Sequence, residues 1–277
     1  MEITSKEKPA WLDASHPNYK RWLRARELSE ARGNFVISII EKFIACKNLS
    51  ILDLGSGEGG TSLLLSKNNF VISFDISFER LQRQKDKNAK INLIQGNALF
   101  TPFKNSSYNL IILQDVIEHV TSPGKLIENI FNMLKPGGIV YLSTPNKLSV
   151  FNFIADPHWG VPFVSIMKRE HVRKIFLKNF REHEYNRADI AQLLSLNDFV
   201  NLLEGKFSFY LQTSHSIRRL FEGDRGIAWS NFHLKLVRVL KILRIDKILL
   251  GFSNDKPGIL NNFFNPTFYL ILKKAES

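Results

Sequence analysis

The sequence predicts an α/β fold, a mostly parallel sheet with helices on both faces. Three observations carry this. The apolar run Ile51-Leu52-Asp53-Leu54 breaks into the turn Gly55-Ser56-Gly57-Glu58-Gly59-Gly60. A second apolar run, Phe70-Val71-Ile72-Ser73-Phe74, ends at Asp75, 22 residues beyond Asp53. Around such runs the apolar residues recur at helical spacing, and strands alternating with helices build a parallel sheet.

Residues 1–33 are polar and charged, with aromatic Trp11, Tyr19 and Trp22, and are expected to form one or two helices beside the ligand cleft. Phe35, Ile39, Ile40, Phe43 and Ile44 predict a first core helix. Ile91-Asn92-Leu93-Ile94-Gln95-Gly96-Asn97-Ala98 reads as a third strand and its loop. Tyr108 to Leu113 reads as a fourth, followed by the loop Gln114-Asp115-Val116-Ile117-Glu118-His119-Val120. Ser122-Pro123 starts the next helix: serine caps, and proline at the first turn loses no needed hydrogen bond. Its stripe is Leu126, Ile127, Ile130, Phe131 and Leu134. Leu134-Lys135-Pro136-Gly137-Gly138-Ile139-Val140-Tyr141-Leu142-Ser143-Thr144-Pro145-Asn146 reads as a fifth strand.

The glycine turn identifies the ligand class. Glycines permit φ > 0 and let a ligand approach the backbone. Gly55, Gly57 and Gly60 satisfy the dinucleotide pattern G-x-G-x-x-G. A dinucleotide would place an anionic pyrophosphate on this turn. Asp53 and Glu58 would repel it, and they suit a cation carrying an ammonium or sulfonium group. S-adenosylmethionine (SAM) carries both.

With these five segments in order across residues 51–146, the chain resembles the class I SAM-dependent methyltransferases, of the type 11 and 23 kind. The resemblance implies a Rossmann-like seven-stranded sheet, mostly parallel, with an antiparallel last strand at Phe268-Tyr269-Leu270-Ile271-Leu272. Residues 34–146 would be the SAM-binding core and 147–182 a helical, aromatic lid with Phe151, Phe153, His158, Trp159, Phe163, Phe176 and Phe180. Residues 183–277 would complete the core around a helical insertion at about 213–265. His183 to Leu194 would start a helix, and Asn197-Asp198-Phe199 would turn into strand six. The family's cofactor contacts fall on Asp53, Gly55, Ser56, Gly57 and Glu58 for the methionine part. They fall on Asp75 and Ile76 for the ribose, Asn97 and Ala98 for the adenine, and Gln114 near the reacting centre.

A methyl group on a sulfonium is already activated. The enzyme must align the nucleophile and help it lose a proton. Asp115, Glu118 and His119 are the candidates, since a histidine suits a general base near neutral pH. A structural role for His119, capping a helix or bonding a carboxylate, stays open. A second alternative is a divalent metal on Asp115, Glu118, His119 and His183. That set resembles the ubiquinone-biosynthesis O-methyltransferases and the plant small-RNA 3′-terminal 2′-O-methyltransferases. This chain has Asp115 where those have Glu, and a metal-free site is the leading expectation.

Composition bounds the rest. The 277 residues allow one large domain with a lid, and 44% hydrophobic residues suffice for a core. The single cysteine, Cys46, excludes internal disulfides and suits a reducing compartment. Residues 1–9 do not resemble a signal peptide, and no apolar run reaches the ~18 residues needed to span a bilayer. The net charge of +12 is uneven: residues 146–277 hold 20 basic and 12 acidic side chains, residues 1–145 hold 18 and 14. Residues 231–250 read as one helix rich in Leu, Ile and Val, with Lys235, Arg238, Lys241, Arg244 and Lys247 every three residues. At ~100° per residue those cations sweep some 240° rather than lining one face. Membrane-surface and packed-core readings both remain.

Asp156-Pro157-His158-Trp159-Gly160-Val161-Pro162-Phe163 resembles the insertion of bacterial methyltransferases of cell-surface glycan and lipid-linked sugar synthesis. The expected acceptor is therefore a hydroxyl on a small, sugar-containing or lipid-linked metabolite. The expected place is cytoplasmic, with peripheral contact to an anionic inner membrane face. An RNA methyltransferase is the enzyme alternative, though no RNA-binding module or lysine-rich tail is recognisable. A non-catalytic SAM-binding protein is the other alternative, against which the glycine turn and ribose acid stand intact.

Overall fold

The computed structural model describes residues 14, 19–87, 91–187, 189–228 and 231–275. Trp11 lies outside them. The chain opens with α1 (Tyr19–Glu27) and α2 (Ser29–Ile40). Then β1 (Ser50–Leu54), β2 (Phe70–Asp75), β3 (Asn92–Gln95), β4 (Tyr108–Gln114) and β5 (Leu134–Pro145) follow, with α3 (Gly60–Leu65), α4 (Phe78–Lys87) and α5 (Pro123–Met133) between them. The lid holds α6 (Val150–Ile154), α7 (Arg169–His171), a π turn at Val172–Leu177 and α8 (Lys178–Phe180). After it come α9 (Leu196–Leu203), β6 (Phe207–Leu211), α10 (Thr213–Phe221), α11 (Asn231–Ile242), α12 (Ile245–Phe252), α13 (Ile259–Phe263) and β7 (Thr267–Lys274).

The seven strands form one sheet in the order β3-β2-β1-β4-β5-β7-β6. β1 pairs in parallel with β2 and β4, and β4 with β5. β7 inserts antiparallel between β5 and β6, with Tyr141 opposite Ile271 and Tyr210 opposite the same residue on the other side. Two apolar layers cover the sheet. Leu126, Ile127 and Ile130 of α5 join Leu196, Phe199 and Leu203 of α9 on one face. Phe35, Val36, Ile39 and Ile40 of α2 cover the other. Strand order reverses between β1 and β4, and the crevice at their carboxyl ends is where such sheets bind ligands.

α2 lies tight against α3. A Cβ on Gly60 would sit 2.0 Å from the Ser29 carbonyl oxygen, and one on Gly33 would meet the Gly60 oxygen at 2.9 Å. Gly60 therefore serves this helix contact as well as the turn.

Several sequence expectations shift. The first core helix begins at Ser29, so it crosses residue 33, and it ends at Ile40, leaving Phe43 and Ile44 beyond it. Ser122 precedes α5, but its hydroxyl makes no capping bond. Among the described residues of 183–194 there is no α-helix, only the end of a 3₁₀ turn at Glu182–Glu184. The helix is α9, whose Ser195 and Asp198 form a reciprocal capping box, so Asn197-Asp198-Phe199 is helical rather than a turn. The single helix expected over 231–250 is two, broken at Arg244 with φ 56°.

In the lid, Trp159, Val164, Val172, Phe176 and Leu177 pack with Ile190 into a core of their own. Phe151, Phe163 and Phe180 stay exposed. No described helix is long and apolar enough to cross a membrane.

Candidate active site

A cavity of about 500 Å³ opens at the carboxyl ends of β1, β2 and β4 and is closed on one side by the lid. The turn after β1 forms its floor. Gly55, Gly57 and Gly59 all have positive φ (82°, 56° and 72°), a conformation that disfavours side chains. A Cβ on Gly57 would meet nothing closer than 4.0 Å, so its absence leaves room for a ligand against the backbone. At the end of β2, the Asp75 carboxylate accepts from the Gly57 N–H and the Ser77 N–H, each at 2.8 Å. Ile76 lines the same wall. Asn97 and Ala98 follow β3, and the Asn97 side-chain oxygen accepts from the Leu99 N–H at 2.9 Å. Gln114 ends β4 and accepts from the Thr61 hydroxyl at 3.2 Å.

The two acids that suggested a cationic ligand act differently from the expectation. Asp53 lies behind the turn rather than in the cavity. Its carboxylate accepts from the Ser62 hydroxyl at 2.5 Å, and burial pushes its pKa up to about 7. Glu58 does line the cavity, but Arg83 grips it with two bonds of 2.6 and 3.0 Å, and Arg26 lies 4.0 Å away. Its charge is thus largely compensated. These partners weaken the charge argument for a cationic ligand.

The opposite wall carries the candidate proton-handling groups. Asp115 sits at φ 55°, a strained position for a non-glycine residue. It accepts from Arg32 at 2.6 Å and from the Ser143 hydroxyl at 2.8 Å. Glu118 is fully buried; Oε2 accepts from the Thr144 hydroxyl at 3.0 Å, while Oε1 has no hydrogen-bond partner. Burial, with the Asp115 charge second, raises its pKa well above the carboxylate range. His119 lines the cavity with Nδ1 buried and unpartnered, and burial holds its pKa below the usual histidine value. The lid brings His158 against it, the rings edge to face at 5.1 Å, with His158 Nε2 4.0 Å from Glu118 Oε1. Arg187 and Asp189, paired to each other, complete this wall.

The alternative metal set does not assemble. His183 is 63% exposed, lies beside Glu184 and does not line the cavity. Asp115 is engaged by Arg32. The group that does converge is Glu118, His119 and His158, whose donor atoms all lie within 4.8 Å of one another. His158 was read from sequence only as part of an aromatic lid. Its signal is Asp156, whose carboxylate accepts from the His158 and Trp159 N–H groups at 2.8 and 2.9 Å and so fixes the turn that presents the imidazole. Arg32 gave no signal, since its partner lies 83 residues away.

The model of a methyltransferase domain family matches residues 22–223. The chain belongs to the class I SAM-dependent methyltransferases. The family's cofactor is SAM. The domain is similar to a ubiquinone/menaquinone biosynthesis C-methyltransferase of Wigglesworthia glossinidia brevipalpis, 29% identical over 168 residues, 54% of this chain and 66% of that one. It is similar to phosphoethanolamine N-methyltransferase 2 of Caenorhabditis elegans, 27% identical over 60% of this chain and 36% of that one. A malonyl-[acyl-carrier protein] O-methyltransferase of a Marinomonas species is 26% identical over 71% of this chain and 72% of its own. The chain thus spans less than two thirds of the first two. A SAM-dependent methyltransferase of Mesorhizobium loti shares the fold, with TM-score 0.53 and 13% identity over 86% of this chain and 96% of that one. The three curated relatives are named for carbon, nitrogen and oxygen acceptors, so membership alone fixes no acceptor atom.

Proposed function

We propose that the chain transfers the methyl group of SAM to a hydroxyl of a small, sugar-containing or lipid-linked metabolite, with His119 as general base. One observation carries this reading. His119 lines the same cavity as the glycine turn and Asp75, and its buried Nδ1 has no hydrogen-bond partner. The open space beside Gly57 and the Asp75 carboxylate fit the aminoacyl and ribose parts of the cofactor. When bound, SAM supplies a methyl group whose leaving thioether is neutral. His119, held neutral at pH 7 by its lowered pKa, accepts the hydroxyl proton. Asp115, clamped by Arg32 and Ser143, fixes the start of the loop that carries Glu118 and His119. His158 closes the site from the lid. The lid's similarity to enzymes of surface-glycan synthesis and its exposed Phe151 and Phe163 support a sugar or lipid acceptor.

The test has two parts. Calorimetry should show S-adenosylhomocysteine binding and no NAD binding. A panel of sugar, lipid-linked, quinol and amine acceptors, assayed for released S-adenosylhomocysteine, should give turnover with a hydroxyl acceptor, the methyl located on oxygen by mass spectrometry. Methyl on carbon or nitrogen overturns the acceptor assignment. The convergence of Glu118, His119 and His158 favours a second reading, a divalent ion that lowers the hydroxyl pKa there. Turnover abolished by EDTA and restored by Mg²⁺ or Mn²⁺ would select it.

A further inference from the structure

We infer that the hairpin of α11 and α12 docks the protein onto an anionic lipid bilayer. α12 contains Ile245, Ile248, Leu249, Leu250 and Phe252, yet none of its residues is buried. Phe252 is 70% exposed. A helix this apolar is ordinarily covered by something.

The break at Arg244 changes the geometry of α11. Taken alone at ~100° per residue, α11 has three adjacent faces of about 120° each. Leu234, Val237 and Leu240 face the protein, buried or half-buried. Leu236, Val239 and Ile242 lie nearly opposite and are exposed, Ile242 by 80%. Lys235, Arg238 and Lys241 fill the arc between, all exposed. The cations therefore do line one face, because the sweep of five was a sweep across two helices. Arg244 and Lys247 continue the positive charge into α12, and Asp246 is the only acid in residues 231–250.

An exposed apolar face bordered by cations is the pattern of a helix lying in a headgroup layer. Charge selects the occupant. Two copies of this chain meeting face to face would bring the same cations together, whereas anionic headgroups neutralise them. The next helix, α13, also carries exposed apolar side chains. Ile259, Phe263 and Phe264 are exposed on α13 and its end. Asn146 and Asn152 bond the carbonyls of Asn261, Asn262, Asn265 and Pro266, which ties this segment to α6, where Phe151 and Ile154 are exposed. Docking would thus set the lid beside the bilayer.

The test is flotation of the full chain with vesicles of phosphatidylcholine alone or mixed with phosphatidylglycerol. The chain should float with the mixed vesicles, not with neutral ones, and salt should release it. Replacing Lys235, Arg238 and Lys241 together by Ala should lower partitioning about a hundredfold. The double variant Ile242→Ser, Phe252→Ser should abolish flotation. These positions lie outside the cavity, so each variant should bind S-adenosylhomocysteine as the parent does, which also reports folding. No flotation, equal flotation on neutral vesicles, or unchanged flotation of the variants overturns the inference and leaves the methyltransferase reading intact. So does a dimer in light scattering that Ile242→Ser dissolves, or retention by an acidic protein or RNA in place of lipid.

Discussion

The two walls of the cavity are held together over very different sequence distances. On the β1–β3 wall the bonds that fix Asp75 and Asn97 are local. Asp75 is fixed by N–H groups 18 and 2 residues away, and Asn97 by one 2 residues on. On the β4–lid wall the bonds are long-range. Asp115 is held from 83 and 28 residues away, and the Glu118 carbonyl accepts from Arg169, 51 residues on. A wall built within a βα unit is set by a short stretch of sequence. A wall assembled from a helix, a loop and a lid depends on the whole fold. The first suits a cofactor of fixed shape, the second an acceptor that differs among relatives.

The comparison predicts a double dissociation, with the larger effect on the lid wall. His119→Ala should lower kcat by about 10²–10⁴-fold. His158→Ala should lower it less, because it acts beside the base. Neither should change S-adenosylhomocysteine affinity in calorimetry by more than about threefold. The pH–rate profile should rise through a pKa below ~6.5 and lose that limb in His119→Ala. If His119→Ala weakens binding and kcat equally, the imidazole is structural and the walls are not separable.

On the other wall, Asp75→Ala should weaken S-adenosylhomocysteine binding about 10–100-fold, the size of a lost charge-assisted hydrogen bond. The turn would also lose the acceptor of the Gly57 N–H. Arg83→Ala sharpens the same point. It leaves the Glu58 carboxylate with Arg26 at 4.0 Å as its remaining arginine, and if a cationic ligand feels that charge, SAM should bind tighter relative to S-adenosylhomocysteine than in the parent. An unchanged ratio would mean the turn recognises shape and not charge.

What was legible in the sequence follows the same division. The strands, the glycine turn, Asp75, Asn97 and Gln114 lie where the pattern of apolar runs puts them, because each is defined within a few residues of its strand. Antiparallel β7 came only from resemblance, since no local pattern sets strand direction. His183 enters only the metal alternative, because the matching histidine stands at a helix start in the resembling enzymes, yet the helix here starts after Ser195. The letters Ser195-x-x-Asp198 did carry the signal. Arg32, His158 and Arg187 could not be placed without the fold. The formal charges of Asp53 and Glu58 are visible in a sequence, whereas the burial and Ser62 bond of the first and the Arg83 pair of the second are not.

Within the glycine turn, stability separates two positions by a smaller amount. Gly60→Ala would press a Cβ into the Ser29 carbonyl, and backbone cannot rotate aside as a side chain can. A loss of about 1–3 kcal/mol is expected in denaturant unfolding. Gly57→Ala, with open space around its Cβ, should cost stability only through its positive φ, about 1–2 kcal/mol. It should instead impair cofactor binding. Equal losses from the two would deny the α2–α3 contact its special status.

The smallest effect lies in pH. The folded Asp53 carboxyl has a pKa of about 7, raised chiefly by burial, against ~3.9 in the unfolded chain. The folded state therefore holds a proton that the unfolded state has released. Stability from this group is complete below about pH 4 and is lost as pH rises through 7. Asn keeps an acceptor for Ser62 but cannot ionise. The difference in Tm between Asp53→Asn and the parent should thus grow in favour of the variant, by a few degrees, from pH 5 to pH 8. A constant difference would mean that Asp53 stays ionised in the fold, and that its charge reaches the glycine turn after all.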